Sequence, residues 1–272
     1  MNSVAVPLSL IESETSPRGA LRYAVISTAF VVYIVVMIGA LRNWAAFDIG
    51  IVLWLNEASH RSTLFDDLVN ATSRVTFSNV LMVSLICYAW FGARTIRQHV
   101  TVLVGGIATV CAGMCSRVLQ HLLHTHLRPL VDPAIHFRAP HALDYLQLNR
   151  WYSFPSDHAV IWFGIATTIA LVNKRLGLLT YLLAAALAVC RIYLGYHYPT
   201  DIIGGAMLGI LAVELTHRLA PVIAKSRLIP LAQRWRPALY AVAFFICFNI
   251  GTLFTDFRES GKGFLALLHR MH

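Results

Sequence analysis

Charge is scarce in this chain, and acid is scarcer than base: 13% of residues are charged, with 13 Asp and Glu against 22 Lys and Arg. Together with 57% hydrophobic residues over 272 positions, that shortage excludes an ordinary soluble domain. Cysteine is also sparse. All five, Cys87, Cys111, Cys115, Cys190 and Cys247, fall in apolar segments. No loop pair suggests a disulfide and no spacing suggests zinc; Cys111 and Cys115 read as two small buried residues on one helix face. There is no carboxylate cluster with magnesium- or zinc-ligand spacing, so neither a metal nor a cofactor is expected. No internal repeat or low-complexity segment is evident. The first apolar stretch, Val4–Ile11, is brief and runs into Glu12-Ser13-Glu14, which does not read as a cleaved signal peptide, so the first long helix is expected to be an uncleaved anchor.

What the chain has in quantity is apolar length. Charge-free runs of membrane-spanning size occur at Tyr23–Ala40, Val75–Ala93, Val100–Ser116 and Pro237–Thr255. Ala159–Val172, Leu176–Cys190 and Ile202–Val213 are shorter, and each abuts polar residues into which its helix is expected to extend. The expected fold is therefore all-α: a polytopic membrane helix bundle of six core helices plus a seventh near the C-terminus. The expected organisation is an N-terminal tail over residues 1–20, a core over 21–218, and a basic linker, seventh helix and tail over 219–272. The net charge of +9 is scattered over short loops, which argues for anionic lipid and membrane orientation rather than nucleic acid. Arg18, Arg22, Arg94, Arg97, Lys174, Arg175, Arg218, Lys225, Arg227, Arg234 and Arg236 all fall on one side if each segment crosses once. By the positive-inside rule that side is the cytoplasm. Arg42, Arg61, Arg74, Arg138 and Arg150 fall on the other.

Three stretches gather the chemistry at the outer boundary: His121 to Arg128-Pro129, Phe154-Pro155-Ser156-Asp157-His158, and Arg191 to His197 and Asp201. Ionisable groups near lipid are costly, so such a cluster reads as a functional site. Two guanidiniums, two histidines, a serine and a carboxylate suit phosphate: the arginines neutralise a phosphoryl group, one histidine attacks it and the other protonates what leaves. Ser156 is a natural N-cap, and the helix it opens would offer unpaired N–H groups to an anion. Gly195 permits a tight turn, and Pro199 suits the first position of the next helix. His197 and Asp201 stand four residues apart, near enough for the carboxylate to take the Nδ1–H of the imidazole and present Nε2.

These stretches resemble the signature of the type-2 phosphatidic acid phosphatase superfamily, K-x6-R-P, then P-S-G-H, then S-R-x5-H-x3-D. The wording S-F-P-S-D-H-A and R-I-Y-L-G-Y-H-Y-P-T-D is most similar to the bacterial undecaprenyl-pyrophosphate phosphatase branch. The resemblance implies that His197 forms a phosphohistidine, that His158 protonates the leaving oxygen and then activates water, and that Asp201 supports His197. It further implies that Arg128, Arg191 and Ser156 hold phosphoryl oxygens without a metal. The chain departs from the pattern at His121 for lysine, Asp157 for glycine and Cys190 for serine. His121 can donate to phosphate but is charged only part of the time near neutral pH. Either activity rises as pH falls, or another cation such as Arg117 fills the role. Asp157 favours the helix start but opposes an anion; it either points away or favours a partly protonated diphosphate.

Leu130–Ser153, with Asp132, His136, Arg138, His141, Asp144, Arg150, Trp151 and Tyr152, is either a headgroup-selecting lid or an interfacial loop. Phe47–Val69 reads as an amphipathic outer segment that guides a lipid or rests on the interface. The expectation is a lipid phosphatase of the bacterial plasma membrane with an outward-facing site, acting on a lipid-linked phosphate, undecaprenyl diphosphate foremost. The alternatives are a phosphatidate or phosphatidylglycerol-phosphate phosphatase, a lipid-to-lipid phosphotransferase, or a non-catalytic lipid transporter. Intact His158, His197 and Asp201 argue against the last.

Overall fold

The structure is a computed structural model that describes residues 17–42, 45–140, 152–226, 230 and 234–252. It is helical throughout, with no strand among the described residues. In chain order the helices are α1 (Pro17–Leu41), α2 (Ala45–Asn56), α3 (Thr63–Ser73), α4 (Val75–Phe91), α5 (Ile96–Leu122), α6 (Asp157–Val172), α7 (Lys174–Tyr193), α8 (Pro199–His217), α9 (Ala220–Ala224) and α10 (Arg236–Gly251). Each of the seven apolar segments of the sequence is one of these helices. As the polar flanks required, α6, α7 and α8 run on into the motif residues Asp157, Arg191 and Asp201. Residues 1–16 and 253–272 lie outside the described residues, so α10 is followed only to Thr252.

Four helices, α1, α5, α7 and α8, are each long and apolar enough to cross a membrane, and α3 with α4, bent by 52°, adds a fifth when taken as one span. α6 and α10 are apolar but only 16 residues long. At ~1.5 Å per residue each covers roughly 24 Å, less than a hydrocarbon core of about 30 Å. For α6 the shortfall has a local cause, because Ser156 caps the helix inside the site rather than at the membrane surface.

α6 is the centre of the bundle and packs against α5, α7 and α8, while α1 lies along α8. Its sequence is apolar on every side, as befits a helix walled in by others. Close approach is made by small residues. A Cβ on Gly205 of α8 would strike the carbonyl oxygen of Ser156 and approach Ala159 Cβ to 2.9 Å. That contact seats the start of α8 on the start of α6, and the Ser156 N–H donates to the Asp201 carbonyl at 3.0 Å. The second and third motif blocks are thereby locked together by backbone. Asn79 of α4 ties in the flank, accepting from Trp162 Nε1 at 2.8 Å and donating to the Ile250 carbonyl at 3.1 Å. Cys111 and Cys115, expected to be buried, are exposed on the outer surface of α5, where an apolar span meets lipid rather than protein.

The segment Phe47–Val69 is not a passive interfacial strip. Its two helices, α2 and α3, form a buttress held by buried polar bonds. Asp48 accepts from the Thr200 N–H at 3.1 Å and from the Thr200 hydroxyl, and Asp66 accepts from the Tyr193 hydroxyl. Asn56 brackets Arg138, donating to its carbonyl at 2.7 Å and accepting from its N–H at 2.9 Å. Phe47, Trp54 and Leu64 remain exposed along the outside of this hairpin.

Candidate active site

The site is built where three chain segments meet at one end of the bundle. The first leaves α5 and carries Arg128 on an extended residue before the turn Pro129–Val131. It is pinned to the third segment by Leu130 N–H, which donates to the Gly195 carbonyl at 2.9 Å. Gly195 has φ +72 in the turn between α7 and α8, and the Phe137 ring fills the space a Cβ would need. Within the region Leu130–Ser153, Ile135 is buried and Phe137 packs on this turn. His141, Asp144, Arg150 and Trp151 lie outside the described residues.

His197 is fully buried, and its tautomer follows from its neighbours. Nδ1 lies 3.1 Å from the Ser153 carbonyl oxygen. A carbonyl can only accept, so Nδ1 carries the hydrogen and Nε2 the lone pair. Nε2 in turn lies 3.3 Å from Arg128 Nη1, a group that can only donate. Burial first, and Arg128 second, push the His197 pKa down to about 4 against the pull of Asp201. The imidazole is therefore neutral near pH 7, with a lone pair on Nε2.

The expected direct bond from Asp201 to His197 is not formed. Their closest atoms are 3.7 Å apart, and the Ser153 carbonyl takes the Nδ1–H instead. Asp201 is the hub of a second layer. It accepts from the Ser153 hydroxyl at 2.5 Å and from the Tyr198 N–H at 2.7 Å, with His126 Nε2 at 3.0 Å. Ser153 Oγ also lies 3.4 Å from His197 Nδ1, linking carboxylate to imidazole through one hydroxyl. Ser153 and His126 were not singled out in the sequence. The signal for His126 was its place two residues before Arg128; Ser153 gave none, since it acts partly through its carbonyl.

Arg128 and Arg191 are both buried, at 5% and 6% exposed. Burial holds the Arg128 guanidinium below its usual range, partly offset by Asp157. Arg128 Nη1 donates to the Tyr196 carbonyl at 3.0 Å, and the Arg191 guanidinium sits 4.1 Å over the Tyr196 ring. The Nε of each arginine has no protein partner. Ser156 is the N-cap of α6, accepting from the Ala159 N–H at 3.4 Å.

Asp157 resolves two departures from the family pattern. It points inward, and it is paired with Arg117. Its Oδ1 accepts from the His158 N–H at 2.8 Å and lies 2.9 Å from His158 Nδ1. His158 Nε2 is buried with no protein partner. His121, at the last turn of α5, is exposed, whereas Arg117 one turn earlier reaches the site. Cys190 packs with Val69, Tyr193 and Leu194.

Ligand atoms of Asp157, His158 and His197 converge within 4.8 Å of one another, a grouping that the sequence spacing did not reveal. Its surroundings suit an anion better than a cation. Arg117 already occupies Asp157, Asp157 occupies His158 Nδ1, and Arg128 faces His197 Nε2.

The comparisons with known proteins agree with this geometry. Residues 100–224, which carry all three blocks, match the PAP2 superfamily. The chain is 32% identical over 145 residues to the bacitracin transport permease protein BcrC of Bacillus licheniformis, spanning 53% of this chain and 66% of that one, just short of two thirds. It is 27% identical to the undecaprenyl-diphosphatase BcrC of Bacillus subtilis, over 61% of this chain and 80% of the relative. In fold it is similar to the crystal structure of a transmembrane PAP2 type phosphatidylglycerolphosphate phosphatase from Bacillus subtilis. The TM-score is 0.50 at 18% identity, covering 74% of this chain and 98% of the other. With the motif blocks assembled at one end of a helical membrane bundle and the family model matched across them, residues 100–224 form a PAP2 superfamily domain, in a bundle similar in fold to a PAP2 membrane phosphatase.

Proposed function

We propose that the protein hydrolyses a lipid-linked diphosphate, undecaprenyl diphosphate foremost, to the lipid monophosphate and inorganic phosphate. The reading rests on one observation: His197 Nε2 holds its lone pair among buried arginines, beside His158, whose Nε2 has no protein partner. In the first step the His197 Nε2 lone pair attacks the terminal phosphorus. The bond from phosphorus to the bridging oxygen breaks, and that oxygen leaves with its electron pair and takes a proton from His158. In the second step water gives a proton to His158 and attacks the phosphohistidine. The phosphorus–nitrogen bond breaks toward His197, and phosphate departs.

Arg128 and Arg191 supply the positive charge, their free Nε–H groups directed to phosphoryl oxygens, and Ser156 holds the start of α6 toward the same anion. No metal is required. The diphosphate preference draws on the relative from Bacillus subtilis named an undecaprenyl-diphosphatase. The basic ends of the helices opposite the site support a cytoplasmic orientation for that face and an outward one for the site, in a bacterial plasma membrane. A cavity of about 510 Å³ at those ends, lined by Arg94, Lys174 and Arg175, suits anionic lipid headgroups.

The test is phosphate release by the purified protein from a panel of lipid phosphates, with excess chelator present. Undecaprenyl diphosphate should be the best substrate, and turnover should not fall in EDTA. A loss that magnesium restores would refute metal independence. Preference for phosphatidate, or transfer of phosphate to an acceptor lipid, would replace the substrate or the reaction.

A further inference from the structure

The reading above asks His158 to give a proton in one step and take it back in the next, and the residue before it governs whether it can. Asp157 is 3% exposed at the first position of α6. One carboxylate oxygen, Oδ1, receives both the main-chain N–H and, at 2.9 Å, the Nδ1 side of His158. The other faces Arg117 of α5. One turn on along α5, Gln120 donates to the Pro155 carbonyl at 2.6 Å and fastens the same two segments. The Trp162 ring, edge-on at 5.3 Å, closes the far side of the imidazole. This ring has no freedom to exchange its two nitrogens.

Electrostatics makes the carboxylate necessary. His158 must pass through an imidazolium, and Arg128 from the first segment and Arg191 from α7 are charges of the same sign in the same pocket. His197 is neutral, and Asp201 is engaged by Ser153, Tyr198 and His126. The negative charge in direct contact with His158 is that of Asp157, with Arg117 keeping the buried carboxylate from standing alone.

We propose that Asp157 is a positioning residue for the general acid: it fixes hydrogen on Nδ1 of His158, leaves Nε2 as the atom that transfers the proton, and stabilises the imidazolium. Arg117 is the counter-ion that lets this carboxylate be buried. The site thus holds two imidazoles with different neighbours, His197 Nε2 facing Arg128 and His158 Nδ1 facing the Asp157 carboxylate. The proposal rests on His158 being the acid of the proposed phosphatase reaction.

Leaving-group dependence separates positioning from structure. An alkoxide from a prenyl monophosphate needs a proton most, a prenyl phosphate from a prenyl diphosphate needs it less, and the phenolate from p-nitrophenyl phosphate needs it least. In full-length Asp157→Asn, kcat should fall on the order of a hundredfold for the monophosphate, the scale of a general acid's contribution. It should fall less for the diphosphate and stay within about twofold for the aryl ester, and the alkaline limb of the pH profile should move to lower pH. KM should move far less than kcat. Asp157→Gly, which restores the family's residue, should behave alike and guards against an Asn-specific misfold. In a His158→Ala background, Asp157→Asn should add little further loss on the diphosphate. An equal loss on every ester, or an additive loss in the double variant, overturns the proposal. A wild-type protein that releases phosphate from none of these esters overturns the phosphatase reading itself, and the two failures are thereby told apart.

Discussion

His126→Gln is the substitution that most directly questions the network behind His197, the proposed nucleophile. His126 Nε2 lies 3.0 Å from Asp201 Oδ1, and its ring packs edge-on to Tyr198 at 4.7 Å. Burial works against its proton, but the carboxylates of Asp201 and Asp48 override it, and its pKa is raised above that of a free imidazole. A raised pKa in the folded state means the proton contributes stability. That contribution is complete below about pH 6.5, the unfolded value, and is lost as pH climbs through the raised value. The substitution replaces a charge-assisted bond to a buried carboxylate by at most a neutral one. The cost should be about 2 kcal/mol, or roughly 4–8 °C in melting temperature for a chain of this size. Catalysis should fall about tenfold to a hundredfold, the range for a residue supporting a functional side chain from behind. Melting followed from pH 6 to 9 in detergent, with phosphate release on the same samples, measures both. The wild type should lose stability over the alkaline part of that range, and the variant should lose that slope. An unchanged slope would show that His126 carries no proton coupled to Asp201.

His197→Ala should abolish phosphate release while the protein still elutes as a folded species; near-wild-type turnover would rule out the phosphohistidine. His121→Lys should leave the pH profile almost unchanged if Arg117, which pairs with Asp157 while His121 is exposed, is the cation beside the pocket, and Arg117→Ala should then raise KM about tenfold or more, as loss of a charged contact does; the reverse ranking would return the lysine role to His121. Gly205→Ala should lower both stability and activity, since its Cβ meets the Ser156 carbonyl, and a variant melting like wild type would contradict the tight α6–α8 contact. A cysteine at Ala134, in a background free of the native ones, should react with an impermeant thiol reagent in intact cells, and one at Lys174 only after lysis; protection at position 134 would turn the site toward the cytoplasm.

The helices were legible because a lipid-facing or core-facing span needs an apolar run, and hydropathy along the chain records such runs directly. All seven runs correspond to helices, and their polar ends hold Asp157, Arg191 and Asp201. The motif residues also come together in space, but their bonding partners were only partly legible. Asp48 with Thr200 and Asp66 with Tyr193 join residues 152 and 127 positions apart. No local pattern marks either pair, and α2 and α3 therefore read as an interfacial strip. The Nδ1–H of His197 was assigned to Asp201 on sequence spacing. A backbone carbonyl, that of Ser153, takes it, and backbone acceptors leave no trace in residue identity.

The two departures at His121 and Asp157 are best understood as one change. A glycine before the histidine asks nothing of its surroundings, but a buried aspartate there requires a cation. Arg117 lies one helical turn before His121, on the stretch of α5 that faces α6. From there it neutralises Asp157 while bordering the same pocket. Arg117 thereby takes the cation's place beside Asp157, and position 121 is a histidine at the exposed end of the helix. Read singly, Asp157 is a carboxylate in an anion site and His121 a weakened cation, and each counts against phosphate chemistry. Joined through Arg117, they place a neutralised pair beside the buried arginines and set a carboxylate against His158, the histidine proposed to carry the proton.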